Sequence, residues 1–500
     1  MDMFTRQIFG QKTEQTRVPV PGQSEFTLDT QVSDAAQTNA ENGEIETAPI
    51  QPAQPAKKKG GSQKGRKTRA QLLPDHLPVE QTEIIPVAVQ QAPEQYRRIG
   101  EEVVDKLERT PAKVIILRLV RPKYVKIDEP YSAPIIAPKP PALIEGGFFG
   151  NEMLLDLALG KYLYHQPLYR QAKAYEWESG VILSAATMCQ AIAQVSELVA
   201  PIVREMSLRM WQTNYVQIDL TPVRCLSKEH AGGSFLGQMW VTAAVGGDVI
   251  YTWDQSKEAI VAERIIPEDY AGKLQCDGGS EILCYLKGGK SRKKPPPDIL
   301  RFACWAHVRR KFETAAKSGC PHAKRIMKII NVLYRIEHDA SKAGLSPAAR
   351  QELRNKRARR VLTGLHRRLL AIFASVRPRS AVGAACSYTL NQWSDLLRYV
   401  EHGEVEIDNN WVENAIRPCA LGKKNYLFIG DVGAGQRSAN LYSLMGSCLR
   451  RGINPRNYLR WVFEKLPGAT NQTVSTLTPA AYAAAQATEK APPVPAAQAA

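Results

Sequence analysis

Apolar residues recur along this chain with two different periods, which divide it into helical and strand-forming regions. Between 147 and 210 they follow three- and four-residue steps, which predicts a helical domain. Residues 214–303 instead hold short apolar runs bounded by glycines and polar residues, a pattern typical of strands. Residues 306–401 return to the helical period. The pattern therefore predicts a core of strands and helices that follows one helical region and is interrupted by another.

The strand-forming region has a definite order of elements. A short strand ends at Asp219, and a hairpin with a Gly246-Gly247 turn follows it. A helical piece comes next, and a buried strand then ends at Asp277. Strand, hairpin, helix and strand, with acids at the strand ends, is the order expected for a mixed sheet of the ribonuclease-H type. The predicted fold class is an α/β catalytic core of ribonuclease-H-like type, a mixed sheet with helices. A helical domain precedes it, a large α-helical insertion interrupts it, and both terminal tails are disordered.

Polar and low-complexity stretches set the remaining boundaries. The N-terminal residues are too polar to bury a core, and the last residues are rich in Ala, Pro and Thr. The predicted organisation is a disordered basic arm at 1–95, a small module at 96–128, a proline-rich linker at 129–145, a helical domain at 146–210, the first part of the core at 211–305, the helical insertion at 306–401, the second part of the core at 402–467 and a disordered tail at 468–500.

The positive charge of the chain is concentrated in a few segments. The net charge is +17, and residues 301–368 alone hold 18 Lys or Arg against four Asp or Glu. Such a field favours a polyanion, so DNA or RNA is the expected partner, with a solvated helical face as the alternative. In the N-terminal arm, phosphate contacts and a plain solvated linker are equally open. The candidate DNA-binding residues of the arm are Lys57, Lys58, Lys59, Lys64, Arg66 and Lys67.

Composition argues against several other classes of protein. The chain has no run of about 18 uninterrupted apolar residues, so neither a membrane span nor a membrane partner is expected. The N-terminus lacks an apolar run behind a positive start, which leaves the cytoplasm as the expected location. None of the nine cysteines falls in a Cys-x-x-Cys pair, so neither a disulfide framework nor bound zinc is expected.

Three carboxylates on separate elements form the candidate chemistry. Asp219 and Asp277 end apolar runs, and Glu413 follows a polar turn at the start of an apparent helix. Two metal ions about 4 Å apart can activate a nucleophile and stabilise a leaving oxyanion in phosphodiester cleavage. Mg²⁺ prefers oxygen ligands, so a few carboxylates suffice. Each acid alone also has an ordinary structural explanation, as a turn residue or as a first-turn helix residue.

Four sequence blocks carry a resemblance to a known family. The blocks of the first and second acids lie at 215–224 and 274–278. Residues 304–312 read Cys-Trp-Ala-His-Val-Arg-Arg-Lys-Phe, and the block of the third acid covers 406–418 and continues at 421–430. In these blocks the sequence resembles the transposases of the insertion-sequence-66 family, which carry an Asp-Asp-Glu catalytic triad. The resemblance runs from about residue 145 to 467.

The resemblance implies a reaction, cofactors and partners. Asp219, Asp277 and Glu413 would be the catalytic residues and would hold two Mg²⁺ or Mn²⁺ ions. Water would cut DNA at the ends of the insertion sequence, and the freed 3′-hydroxyl would attack a phosphodiester of the target DNA. The expected partners are these DNA ends, the target, other copies of the chain assembled on DNA, and accessory proteins of the same mobile element.

Other residues of these blocks are candidates for supporting roles. Arg417 follows Glu413 by one helical turn, and contact with the scissile phosphate or orientation of the carboxylate are equally open roles. Asp408 is expected to be an N-terminal helix cap, with Asn410 beside it. His307 is either a supporting residue or a packed histidine. The further candidate DNA-binding residues are Arg309, Arg310, Lys311, Lys423 and Lys424.

The chain also departs from the family pattern. Leu220 and Gly279 stand where family members usually have a glutamate and a tyrosine. The module at 96–128 resembles the frame of a zinc-binding module of the family but contains no cysteine, so it is interpreted as a degenerate module without zinc. A catalytically inactive, transposase-derived DNA-binding protein is therefore one alternative. A ribonuclease-H-type nuclease without strand transfer is another.

Overall fold

The computed structural model describes residues 114, 123–124, 135–136, 141–230, 232–287 and 298–490. The basic arm, with Lys57, Lys58, Lys59, Lys64, Arg66 and Lys67, lies outside the described residues, as does most of the module at 96–128. Two short strands precede the helical domain. They are β1 (Lys123–Tyr124) and β2 (Ile135–Ile136), which pair antiparallel. The segment at 129–145, interpreted from sequence as a linker alone, thus contributes one strand.

Three helices form the region predicted to be helical: α1 (Asn151–Tyr162), α2 (Leu168–Ser179) and α3 (Ala185–Trp211). Within the described part of the chain, α3 is the one helix long and apolar enough to cross a membrane by length and composition. Its buried face, however, belongs to the protein core. Ser196 Oγ donates to the Arg437 carbonyl at 3.0 Å, and Asn440 Nδ2 donates to the Ser196 carbonyl at 3.3 Å. These contacts characterise α3 as a core helix.

A mixed five-stranded sheet lies at the centre of the fold. Its strands are β3 (Tyr215–Leu226), β4 (Ser234–Ala244), β5 (Val249–Asp254), β6 (Lys273–Gln275) and β7 (Leu300–Phe302), in the order β5-β4-β3-β6-β7. β4 is antiparallel to both β3 and β5. The β4–β5 pair confirms the predicted hairpin, and its turn contains Gly246 at a φ of +77°. β6 is parallel to β3, and β7 is parallel to β6. The short helices α4 (Ala259–Ile265) and α5 (Ser280–Leu286) follow β5 and β6.

A long helix, α13 (Val432–Arg450), supplies hydrogen-bond partners for backbone groups of β5, the edge strand of this sheet. Ser447 Oγ accepts from the Val249 amide at 2.9 Å and donates to the carbonyl of the same residue at 3.1 Å. Ser443 Oγ accepts from the Tyr251 amide at 2.9 Å. Because an uncovered edge strand leaves its backbone groups open to other chains, these hydroxyls both close the edge and fix α13 on the sheet. Helix α14 (Pro455–Lys465) follows.

Residues 305–401 form a helical region with its own hydrophobic core. Its helices are α6 (Trp305–Lys317), α7 (Pro321–Lys342), α8 (Pro347–Leu353), α9 (Arg359–Ser375), α10 (Ala381–Leu390) and α11 (Trp393–Leu397), with a π-helical turn at Arg354–Ala358. The side chains of Phe312, Ile326, Ile330 and Leu333 are buried in this core. Helix α12 (Asn410–Tyr426) then returns the chain to the sheet.

The prediction of a disordered tail at 468–500 is wrong for residues 468–490. Residues 479–490 form helix α15 (Pro479–Lys490), preceded by a 3-10 turn at Val474–Leu477. Leu477 is 4% exposed, and its carbonyl accepts a hydrogen bond from the Tyr458 hydroxyl at 2.8 Å. Alanine-rich composition has low complexity but a high helix propensity, and tertiary packing decides between the two outcomes. Residues 491–500 lie outside the described part.

Candidate active site

Two of the candidate acids lie side by side on neighbouring segments of the sheet. Gln217 on β3 pairs in register with Gln275 on β6, and the two strands run in parallel. Asp219 and Asp277 stand two residues after these glutamines, so the parallel register brings the two acids beside each other. The prediction that the first strand ends at Asp219 was wrong, because β3 continues to Leu226 in its pairing with β4. Asp277 lies just beyond the end of β6. Asp219 Oδ1 accepts from the Leu220 amide at 2.8 Å, and Asp277 Oδ1 accepts from the Gly279 amide at 2.9 Å. Each carboxylate is thereby oriented by its own backbone.

The segment that carries the third acid is tied to the same strands by a buried glutamine pair. Gln217 Nε2 donates to Gln275 Oε1 at 2.8 Å, and both side chains are fully buried. Gln217 also donates to the Asp408 carbonyl at 3.0 Å and accepts from the Val412 amide at 3.0 Å. The pair was not predicted from the sequence. The visible signal was a glutamine in an apolar run, two residues before each aspartate. The pair links the start of α12 to both aspartate strands.

Replacing Gln217 with leucine is expected to lower the free energy of unfolding by about 3 kcal/mol, because the buried Val412 amide and Asp408 carbonyl lose their partner. Urea denaturation measures the effect. Gln238→Leu is the matched control, since this buried glutamine on β4 has a side-chain oxygen without a hydrogen-bond partner in the described residues. Equal losses in the two variants would contradict a bridging role for Gln217.

The charges of the other two candidate acids act on the buried carboxyl of Asp219. Burial raises the pKa of Asp219 well above its usual range, and the negative charges of Asp277 and Glu413 raise it further. The amide of Leu220 opposes this effect by stabilising the carboxylate. Mutual repulsion of this kind is expected where carboxylates from several elements converge on one position.

Glu413 lies in the first turn of α12 and is 3% exposed. Its Oε2 accepts a hydrogen bond from Arg310 Nη2 at 2.8 Å, and its Oε1 lies 3.3 Å from His307 Nδ1 without hydrogen-bond geometry. Burial lowers the pKa of His307, and the charge of Glu413 opposes that shift. Arg310 was a candidate DNA contact and His307 a candidate supporting or packed histidine. Both side chains lie beside the carboxylate of Glu413.

Asp408 does not occupy the cap position expected from sequence. The N-cap of α12 is Asn409, whose side chain makes no capping hydrogen bond. Asp408 stands one residue earlier and still accepts from the Asn410 backbone amide at 3.1 Å and from Asn410 Nδ2 at 2.7 Å. The Tyr334 hydroxyl donates to the same carboxylate at 2.7 Å. Burial raises the pKa of Asp408 to about 7, and the hydrogen bond from Tyr334 opposes the shift.

The neighbours of Arg310 on α6 point in other directions. Arg309 Nε donates to Asn331 Oδ1 at 3.3 Å, and the Lys311 ammonium lies 5.4 Å from the centre of the Tyr388 ring. The Tyr388 hydroxyl accepts from the Gly278 amide at 3.3 Å, next to Asp277. Lys311 therefore lies near the second acid.

The candidate basic residues of α12 divide into two kinds. Lys423 Nζ donates to Thr221 Oγ1 and to the Pro222 carbonyl, both at 2.9 Å, so it fastens α12 to β3. Burial lowers the pKa of Lys423. Arg417 is half-buried and Lys424 is exposed, and neither makes a hydrogen bond or ion pair within the described residues. Arg310, and not Arg417, is thus the arginine that meets the Glu413 carboxylate.

A buried arginine that sequence analysis missed holds the loop of the second acid. Arg301 on β7 donates through Nη2 to the Asp277 carbonyl and to Gln392 Oε1, both at 3.0 Å. It also forms an ion pair with Asp395, which binds Arg398 in turn. An arginine inside the short apolar run of β7 was the only signal in the sequence.

A second set of potential metal ligands overlaps the third acid. Cys304, His307 and Glu413 each offer one ligand atom, and these atoms lie within 4.8 Å of one another. Arg310 Nη1, however, lies 3.2 Å from His307 Nε2. A guanidinium can only donate, so Nε2 must accept and the proton of the neutral ring lies on Nδ1, towards Glu413. In this arrangement neither nitrogen of His307 is free to bind a metal ion at the Cys304, His307 and Glu413 set.

Comparisons with known proteins agree with this arrangement of blocks. A family model described as Transposase IS66 family matches residues 146–437, and one described as Transposase C of IS166 homeodomain matches residues 1–82. Two uncharacterized proteins of Sinorhizobium fredii are similar to the chain. The first, y4jD, is 30% identical over 470 residues, which cover 89% of each chain. The second, y4qI, is 30% identical over 375 residues, which cover 72% of this chain and 67% of the relative. The chain therefore belongs to the IS66 family of transposases.

Proposed function

We propose that this protein is a DNA transposase whose Asp219, Asp277 and Glu413 hold divalent metal ions for strand cleavage and strand transfer. The proposal is carried by the parallel register that sets Asp219 beside Asp277 and by Gln217, which ties the start of the Glu413 helix to both strands. Besides burial, the charges of Asp277 and Glu413 also raise the pKa of Asp219. Three acids that repel one another at one position would be stabilised by cations bound between them. Membership of the IS66 family supports DNA as the substrate and transposition as the reaction.

The residues of the site fit Mg²⁺ or Mn²⁺. Glu413 Oε1 is buried and has no hydrogen-bond partner in the described residues. Asp219 and Asp277 are each anchored through Oδ1 by one backbone amide, so the second oxygen of each carboxylate remains for a ligand bond. Bound metal ions would activate the attacking oxygen and stabilise the leaving one. The chain itself orients the carboxylates through Leu220, Gly279 and the buried glutamine pair.

The sheet supports a ribonuclease-H-like core as part of the proposal. The central strand β3 carries Asp219, with the antiparallel hairpin on one side and the parallel strands on the other. Residues 211–305 and 402–467 would be the two parts of this core, and 306–401 the helical insertion. The basic residues of the insertion, with Arg417 and Lys424, would contact DNA phosphates. Several copies of the chain would assemble on the DNA, and the reaction would take place in the cytoplasm.

Glu413→Gln is expected to reduce DNA cleavage by roughly a thousandfold, because a lost metal ligand removes several kcal/mol of transition-state stabilisation. The measurement is nicking of a labelled duplex that carries the DNA ends flanking this gene, with Mg²⁺ or Mn²⁺ and the element's accessory proteins. Metal-dependent release of a 3′-hydroxyl by the wild type alone would support the proposal. DNA binding without cleavage by both proteins would instead indicate an inactive DNA-binding protein.

A further inference from the structure

The side chain of Arg310 is bound to the carboxylate of the third acid, Glu413. Its Nη2 donates to Glu413 Oε2 at 2.8 Å, and its Nη1 lies 3.2 Å from His307 Nε2. His307 Nδ1 in turn faces Glu413 Oε1 at 3.3 Å. One guanidinium thus contacts the carboxylate directly and also fixes the ring that faces its other oxygen. The importance of this contact for the reaction rests on the proposed role of Glu413 as a metal ligand.

An arginine in this position is a competitor of a metal ion. The guanidinium stays protonated under all ordinary conditions, so it carries a permanent positive charge beside the carboxylate. A divalent ion on Glu413 would stand next to that charge, and the two cations repel each other strongly in a partly buried site. Glu413 can bind a metal ion at full strength only if Arg310 moves away.

The exposure of Arg310 allows such a movement. Its side chain is 47% exposed, whereas the side chain of Arg354, which pairs with Glu337 in the helical region, is fully buried. A fully buried arginine cannot leave its partner without leaving a charge unpaired in the interior. Arg310 can turn towards solvent or towards a phosphate, whose oxygens suit the guanidinium at least as well as a carboxylate.

We propose that Arg310 is a built-in counterion of Glu413, which it holds in the DNA-free protein and releases to a metal ion when a DNA phosphate binds the guanidinium. Arg310 is then a positioning residue whose two partners alternate. The metal site would be complete only on DNA, so metal loading and DNA binding would be coupled.

The test is Mn²⁺ binding to the full-length, DNA-free protein, followed by the electron paramagnetic resonance signal of the free ion. Arg310→Gln is expected to bind Mn²⁺ on the order of tenfold more tightly than the wild type, because one opposing charge is removed. Arg310→Lys, which keeps the charge, should stay within about threefold of the wild type. Circular dichroism verifies that each variant is folded.

Arg309→Gln is the matched control, because it removes the same charge from the adjacent position, where Arg309 binds Asn331. It should leave Mn²⁺ affinity within about threefold of the wild type. Adding Asp219→Asn to Arg310→Gln should abolish the gain, which would locate the ion at the three acids. Equal affinities of Arg310→Gln and the wild type, or an equal gain in Arg309→Gln, would overturn the inference. The cleavage comparison with Glu413→Gln tests the proposed function separately, so either idea can fail alone.

Discussion

Asp277→Asn is expected to abolish strand cleavage, with a loss of roughly a thousandfold, while DNA binding and folding are kept. Asparagine retains an oxygen that can accept from the Gly279 amide, and Arg301 binds the backbone carbonyl of residue 277, which the substitution does not change. The loop therefore keeps its anchors and loses only the negative charge that a metal ion requires. Cleavage and electrophoretic mobility shift of the same duplex measure the two properties side by side.

The matched control for this variant is Asp269→Asn. Asp269 is exposed and precedes β6, so it lies at the opposite end of that strand from Asp277. Asp269→Asn makes the same change of charge. This variant should cleave DNA at a rate within about twofold of the wild type, as expected for a surface substitution. If Asp277→Asn retained cleavage, Asp277 would not be a metal ligand. If it lost DNA binding as well, its role would be structural.

Arg354→Met is expected to lower the free energy of unfolding by about 3–5 kcal/mol. The guanidinium of Arg354 donates to both carboxylate oxygens of Glu337, at 2.9 and 2.7 Å. It also donates to the carbonyls of Tyr399 and His402, at 2.7 and 2.8 Å. Methionine fills part of the volume but leaves a buried carboxylate and two carbonyls without a donor. Urea denaturation gives the change in unfolding free energy.

Arg357→Met supplies the comparison for Arg354. Arg357 lies in the same π-helical turn, and its side chain is 54% exposed and pairs with Asp339 at 3.4 Å. Exposed ion pairs contribute about 0–1 kcal/mol, so this variant should remain close to the wild type. A similar loss in both variants would mean that helix propensity, and not the buried network of Arg354, sets the stability of the region.

Much of the fold was predictable because it depends on local sequence pattern. The hairpin β4–β5 followed from two apolar runs around Gly246-Gly247, and the structure confirms it. The helical periods of 147–210 and 306–401 likewise correspond to helices. α15 was missed because an alanine-rich segment has no apolar stripe of its own, and its helix is anchored by contacts with α14.

The candidate acids were predictable for a different reason. Asp219 and Asp277 each end an apolar run, which marked both as candidates, although only Asp277 follows the end of its strand and Asp219 lies within β3. Glu413 was a weak candidate without the family blocks, since an acid in the first turn of a helix is common. The assignment of all three as metal ligands remains a prediction until cleavage and metal binding are measured.

The side-chain contacts of the basic residues could not be predicted from the sequence. Arg309, Arg310 and Lys311 are adjacent in sequence, and each contacts a different residue, because successive helical positions point in different directions. Lys423 binds β3 about 200 residues away, while Lys424 remains exposed.

By itself, the sequence determined the family and most of the strands and helices, since these depend on periodicity and on contiguous blocks of residues. Only the tertiary structure decided that Gln217 and Gln275 join the acid-bearing segments and that Arg310 meets Glu413. These contacts join residues 58 and 103 positions apart in the chain. Which donor reaches a buried carboxylate depends on how the helices pack against the sheet, and that packing has no local signature in the chain.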